Sequence, residues 1–157
     1  MKINDILFKI TTALSLDTKQ MIKSYALAEY DMSEERLNNI LKRRQDEDYQ
    51  EASYEELGIF LDGLILLKRG PSDKVASEED TVSLSNNLIL KKLRVALELK
   101  ESELLIVFGL AERSLNKRQI GALFRKENAK NFKICSDELL MAFIEGLDEF
   151  YYDGEEI

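Results

Sequence analysis

The sequence has no histidine and no tryptophan, and it has one cysteine and one proline. Without histidine, the chain has no Ser-His-Asp or Cys-His catalytic set and no histidine metal site. The single cysteine, Cys135, rules out an intrachain disulfide and a thiolate metal cluster. We therefore expect no cofactor and no enzymatic activity. We expect Cys135 to be a small buried side chain, with a reactive thiol as the alternative.

Residues that break helices are scarce, because seven glycines and one proline are spread over 157 residues. This scarcity favours helices over a turn-rich β fold. No apolar run approaches the 18 or so residues that cross a membrane. The first residues, Met1 to Asp5, lack the apolar core of a signal peptide. The default expectation is a cytoplasmic protein that does not bind membranes.

The main pattern is an internal repeat with a constant offset of 83 residues. Residues 4–70 align with residues 87–153 without a gap, and 16 of the 67 pairs are identical. Ordinary composition would give on the order of four or five identities. A long ungapped offset of this kind indicates a duplicated unit. We predict repeat 1 at residues 1–70, a flexible acidic linker at 71–85, repeat 2 at 86–153 and a tail at 154–157.

Each repeat carries four segments of helical apolar periodicity, which predicts an all-α fold of two tandem four-helix repeats. A unit of 67 residues is close to the size at which one core is marginal, so we expect the repeats to pack together. Of the two second helices, at about 17–30 and 100–113, we expect the more apolar one in repeat 2 to be the more buried. The predicted N-cap residues are, in chain order, Asn4, Asp17, Ser33, Ser53, Asn87, Asn116 and Ser136.

Two identities in the fourth helix are predicted to be structural. Gly63 and Gly146 lie inside a helix, where glycine costs about 1 kcal/mol relative to alanine. Their presence in both copies indicates close approach of another helix, with neutral drift as the alternative. Phe60 and Phe143 lie on the apolar face of the same helices and are expected in the core.

Glu29 and Glu112 are also identical in the two copies. They are candidates for a site between the repeats, although a structural or surface role is the ordinary reading of a helical acid. The net charge of −8 is spread over both repeats and the segment between them, so neither repeat has the basic excess of a dedicated nucleic-acid binder.

The second and third helices have the length of a DNA-binding helix-turn-helix at residues 21–44 and 104–127. The predicted turns are the three-residue segments 31–33 and 114–116. In repeat 1 the third helix begins with Glu34 and Glu35, which would face the DNA bases unfavourably. The alternative is an ordinary helical hairpin with a solvated charged face. The candidate interaction residues of repeat 2 are Lys117, Arg118, Arg125 and Lys126.

Several spaced segments together resemble the YehS-like family of bacterial proteins. They are residues 60–65 (FLDGLI), 68–70 (KRG), 86–87 (NN), 90–94 (LKKLR) and 130–132 (KNF) with Cys135. The resemblance covers the whole chain, including the duplication. It implies a duplicated domain of unknown function, and it supplies no catalytic residue.

The sequence thus favours a non-enzymatic helical module that binds a protein partner or associates with itself. The first alternative is a DNA-binding regulator that uses the basic third helix of repeat 2, although the net charge disfavours a nucleic-acid partner. The second is an enzyme or ligand-binding protein whose carboxylates converge between the repeats. A deep pocket there would support that reading, whereas a solid apolar seam would not.

Overall fold

The computed structural model describes residues 2–70 and 84–152, and these residues form eight α-helices with no strand. The four helices of repeat 2 begin 83 residues after their counterparts in repeat 1, so the predicted all-α duplication is confirmed. The linker prediction for 71–83 and the prediction for the tail lie outside the described residues. The helices are α1 Ile3–Ala13, α2 Thr18–Leu27, α3 Glu34–Ile40, α4 Tyr54–Arg69, α5 Asn86–Leu97, α6 Glu101–Leu110, α7 Lys117–Leu123 and α8 Asp137–Phe150.

The repeats exchange their first helices. Helix α5 packs mainly against α4 of repeat 1, and α1 packs mainly against α8 of repeat 2. Contacts of α1 with α4 and of α5 with α8, inside each repeat, are much less extensive. The apolar faces of all four helices join one continuous core, whose fully buried members include Leu7, Leu64, Leu90 and Leu147. Burial of each such side chain contributes roughly 1.5–3 kcal/mol.

Within each repeat, the second and fourth helices are in close contact at the glycine. A Cβ on Gly63 would lie 1.7 Å from the carbonyl oxygen of Ser24, and one on Gly146 would lie 2.1 Å from that of Val107. The predicted close approach is therefore confirmed. One aromatic pair lies beside each crossing, and the ring centroids are 5.6 Å apart for Tyr25 and Phe60 and 5.2 Å apart for Phe108 and Phe143.

Most of the predicted caps are confirmed by hydrogen bonds to the helix backbone, and one pair is wrong. The side chains of Asp17, Ser33, Ser53, Asn116 and Ser136 each accept from the third residue of the following helix. Asn4 and Asn87 do not cap. They lie inside the first turns of α1 and α5, where Lys2 and Ser85 hold the N-cap positions.

The second helices end earlier than predicted. Glu29 and Glu112 both adopt the left-handed conformation, with φ of 60°, two residues after the last helical residue. The next amide, of Tyr30 or Arg113, donates back to the carbonyl of Tyr25 or Phe108. This is the hydrogen-bond pattern of a Schellman C-cap, which usually places glycine at the left-handed position. Six residues therefore separate α2 from α3 and α6 from α7, so the predicted three-residue turns are wrong.

Helix α6 is not more buried than α2, contrary to the expectation from its apolar sequence. Each has three buried residues, and in α6 these are Leu104, Val107 and Phe108. Both helices occupy the same position in the fold, where only one face meets the core. The extra apolar residues of α6 are consequently exposed, and Ile106 is 53% accessible.

Two equivalent ion pairs cross the contact between repeats. Lys92 on α5 pairs with Asp62 on α4, and Lys9 on α1 pairs with Glu145 on α8 at 3.6 Å. The side chain of Lys92 is only 6% exposed, whereas that of Lys9 is 43% exposed. The ion pair of Lys92 is thus largely buried, whereas the equivalent ion pair of Lys9 is exposed to solvent.

The close helix approach makes a testable prediction about stability. Gly63→Ala should lower the free energy of unfolding by about 3 kcal/mol, because the new methyl group overlaps a backbone carbonyl that cannot move freely. Gly58→Ala, in the same helix, is the matched control, since nothing lies within 4 Å of its added Cβ. It should raise the free energy by up to about 1 kcal/mol. Urea unfolding measures both, and equal effects would contradict the packing.

The two ion pairs differ in a way that mutation can measure. Asp62→Asn should destabilise the fold by about 2 kcal/mol, because it removes a carboxylate that pairs with a largely buried ammonium. Glu145→Gln should change stability by less than about 0.5 kcal/mol, because an exposed pair is screened by solvent. Thermal unfolding monitored by circular dichroism tests the difference. A larger loss for Glu145→Gln would contradict this reading.

Candidate functional site

The repeats differ most in charge at the third helix and the loop after it. Residues 34–50 contain four basic and five acidic side chains, whereas the equivalent residues 117–133 contain six basic and one acidic. The first segment carries a net charge of −1 and the second +5. This contrast lies on elements that occupy equivalent positions, so it is a difference of surface and not of fold.

Local capping and two buried side chains hold α7 in place. The Asn116 side chain accepts from the Gln119 amide at 2.8 Å, and the Gln119 side chain accepts from the Asn116 amide at 2.9 Å. Ile120 and Leu123 are buried. Lys117 and Arg118 are consequently left on the exposed side.

Asn87 fixes both ends of the loop that follows α7. Its amide nitrogen donates to the carbonyls of Leu123, at 2.9 Å, and Lys133, at 2.8 Å. Its oxygen accepts from the backbone amide of Cys135 at 2.9 Å. Asn4 makes the equivalent three bonds in repeat 1. Sequence reasoning missed this role because an asparagine just before an apolar run also fits an N-cap.

We call the charged side of this unit the basic surface. All six of its side chains are exposed, and none forms an ion pair within the described part of the chain. Three of the four basic residues at 34–50 do have carboxylate partners. Sequence reasoning named four members of the basic surface and missed Lys130 and Lys133, which lie farther along the loop. The members are Lys117, Arg118, Arg125, Lys126, Lys130 and Lys133.

The equivalent place in repeat 1 is concave, and we call it the repeat 1 groove. The groove is open to solvent and has a volume of about 570 Å³. Lys42 and Asp48 form an ion pair at its edge, with N and O 3.4 Å apart, while Glu34 and Glu35 have no ion-pair partner among the described residues. The lining residues are Glu34, Glu35, Asn38, Asn39, Lys42 and Asp48.

The repeat offset shows which members of the basic surface lie together. The groove residues Glu34, Glu35 and Lys42 share one face, and their counterparts are Lys117, Arg118 and Arg125. Between these lies Gly121, where an added Cβ would meet nothing within 4 Å. Repeat 2 therefore presents three cationic side chains around an open, small-residue floor.

Repeat 1 also has an ion pair that repeat 2 lacks. Arg36 donates to both carboxylate oxygens of Glu56, at 2.8 and 3.2 Å, and to the Glu51 carbonyl at 2.9 Å. Burial raises the pKa of Glu56, but hydrogen bonds from Arg36 and Ser53 outweigh it and hold the pKa below its usual value. The counterparts of Arg36 and Glu56 are Gln119 and Leu139, which cannot form this pair.

Glu29 and Glu112 are not brought together into a site. Both are exposed at the ends of second helices, and neither lines the repeat 1 groove or the small concavity of about 140 Å³ beside α1 and α8. The contact between the core helices of the two repeats is mainly apolar. The carboxylates that line the small concavity beside α1 and α8 are Glu145 and Asp148, and not the predicted pair.

The other candidate chemistries are limited by burial and spacing. Cys135 is buried as expected, and burial raises the pKa of its thiol to about 12. Within residues 2–70 and 84–152, no three potential ligand side chains cluster closely enough to hold a metal ion. Over the same residues, no helix has both the length and the apolar character needed to span a bilayer.

The pKa of Glu56 predicts how stability depends on pH. Its folded pKa is depressed, so the pair with Arg36 should contribute fully above the ordinary value of 4.5 and be lost as the pH falls through the folded pKa. The difference in free energy of unfolding between the native protein and Glu56→Gln should therefore shrink as the pH is lowered below that value. Urea unfolding across acidic pH measures it, and a constant difference would refute the assignment.

Comparison with known proteins agrees with the duplication. A family model described as a protein of unknown function (DUF1456) matches residues 4–70 and 86–151, which are the two repeats. The chain is 31% identical over 144 residues to the uncharacterized protein YehS of Escherichia coli strain K12, covering 92% of each chain. No solved structure matches it. With both repeats matched and a relative aligned over nearly its whole length, the chain belongs to the DUF1456 family.

Proposed function

We propose that this protein is a non-enzymatic interaction module that uses the basic surface of repeat 2 to bind an acidic protein surface. One observation carries the proposal: six exposed basic side chains have no carboxylate partner within the described residues, in a chain of net charge −8. Acidic side chains are abundant elsewhere on the same protein. Residues 117–133 contain a single acidic side chain, Glu127, and it forms no ion pair within the described residues, which leaves the cations available to another molecule.

The energetics of surface charge support this use. A single exposed ion pair contributes about 0–1 kcal/mol, so folding alone gives little reason to neutralise or to concentrate such charges. Like charges closer than the Debye length of about 10 Å repel each other, which makes an unneutralised cluster mildly unfavourable in the free protein. A partner that brings carboxylates removes this repulsion and gains a faster, steered encounter.

A nucleic acid is the second candidate partner, and the same unpaired basic residues favour it. Three features weigh against it. The net charge repels a polyanion at long range. Helix α7 has seven residues, about two turns. The connection from α6 has six residues, whereas a helix-turn-helix has a turn of three or four.

Charge reversal tests the proposal in native lysate. Tagged protein should recover a stoichiometric partner that elutes with salt, and Lys117→Glu/Arg118→Glu should lose it. The matched control is Lys19→Glu/Lys23→Glu on α2, which changes the charge equally at two exposed lysines of repeat 1. The control should retain the partner. Equal recovery by both variants would show that the basic surface is not the binding site.

A mobility-shift assay separates the two candidates. Under the main proposal, random-sequence duplex DNA at low salt should bind no better to the native protein than to Lys117→Glu/Arg118→Glu. Salt-sensitive DNA binding that only this variant loses would favour the nucleic-acid alternative.

A further inference from the structure

We infer that a second copy of this chain is one partner of the basic surface, and that it docks through its repeat 1 groove. The inference rests on the proposed function, because it identifies an occupant for the same surface. In this protein, repeat 2 carries the basic surface and repeat 1 carries an anionic groove at the equivalent place. Each copy therefore displays both halves of a complementary contact.

Charge complementarity is the first support. The groove lining contains three carboxylates and one ammonium, and Glu34 and Glu35 have no ion-pair partner within the described residues. The opposing surface presents Lys117, Arg118 and Arg125, which are also unpaired there. Docking would pair these glutamates of one copy with these cations of the other, and neither set has an ion-pair partner within the described residues of its own copy. Complementary surface potentials of this kind favour association and fix its register.

Shape is the second support. The groove is open and has about 570 Å³ of free space, so long lysine and arginine side chains can enter it. The floor of the basic surface is Gly121, with Ala122 beside it, and an added Cβ on Gly121 would meet nothing within 4 Å. With small residues at the centre, no bulky side chain of this face prevents the surrounding cations from extending into the groove.

The contact joins two different surfaces, so it is heterologous. Heterologous contacts produce rings when the rotation closes and open chains when it does not. The association should therefore increase with protein concentration. It should also weaken with salt, because both sets of side chains are exposed and are screened within a Debye length.

The experiment is sedimentation velocity on the full-length protein over a range of protein concentrations, at about 20 mM and about 500 mM monovalent salt. The native protein should associate at low salt, with the association constant falling at least about tenfold at high salt. Lys117→Glu/Arg118→Glu should remain monomeric, since the substituted positions then carry the same charge as Glu34 and Glu35 on the groove they would meet. Glu34→Lys/Glu35→Lys should also remain monomeric, since both are then basic.

Mixing these two variants is the decisive measurement. One variant carries acidic side chains at positions 34, 35, 117 and 118, and the other carries basic side chains at all four, so the mixture should associate although neither variant does alone. The chain carrying all four substitutions should associate by itself, because its polarity is merely reversed. Lys19→Glu/Lys23→Glu should behave like the native protein and controls for net charge.

We expect these variants to fold, because Lys117→Glu, Arg118→Glu and Glu34→Lys copy the residue of the other repeat, and Glu35→Lys places a basic residue where repeat 2 has Arg118. Circular dichroism checks this directly. A monomeric native protein at low salt, or a mixture of well-folded variants that does not associate, would overturn the inference. If the native protein is monomeric but still recovers a charge-dependent lysate partner, the proposed function stands and self-association alone fails.

Discussion

The packing of α5 on α4 and of α1 on α8 is the constraint on which the rest of the structure depends. Each repeat has 67 residues, and its first helix makes most of its core contacts with the fourth helix of the other repeat. The two copies therefore share one core. The ion pairs of Lys92 with Asp62 and Lys9 with Glu145 cross the same contacts and recur by the same offset.

This arrangement separates residues that must stay alike from residues that are free to differ. Gly63 and Gly146 permit the close crossing inside each repeat, and Asn4 and Asn87 hold the long loops against the first helices. The glycine and the asparagine are each kept at the equivalent position in the two copies. Helices α3 and α7 bury only two residues each, so their outer faces carry little packing constraint. Opposite charge can accumulate there without changing the scaffold.

The sequence was informative wherever a residue had one physical role. A glycine kept inside a helix in both copies predicted the close crossing, and serine, aspartate or asparagine before an apolar stretch predicted most of the caps. It failed where one residue type fits two roles, as with Asn4 and Asn87, which bond to a distant loop. The sequence did not predict the early end of α2, because Glu29 adopts the left-handed backbone conformation, in which glycine is the usual residue. The sequence also did not reveal the exchange of first helices. A repeat offset shows which residues of the two copies are equivalent, but it does not show whether a helix packs within its own repeat or against the other.

The basic surface was predicted only in part, for a related reason. Charge on α7 was visible in the sequence, but whether those charges are neutralised depends on contacts made in three dimensions. In repeat 1, Arg36 and Arg44 pair with carboxylates on other segments and Lys42 pairs with Asp48 of the same loop. In repeat 2, the six basic residues at 117–133 have no such partner within the described chain. Both surfaces are carried by one core, which the exchanged first helices join.

Native-state hydrogen exchange tests that unity most directly. If the exchanged first helices join both repeats into one cooperative core, the slowest amides of α1, α4, α5 and α8 should exchange with the same free energy, equal to that of global unfolding. Destabilising one repeat should lower all four together. Two separate groups of amides, with the core helices of one repeat opening at a clearly lower free energy than those of the other, would contradict the account.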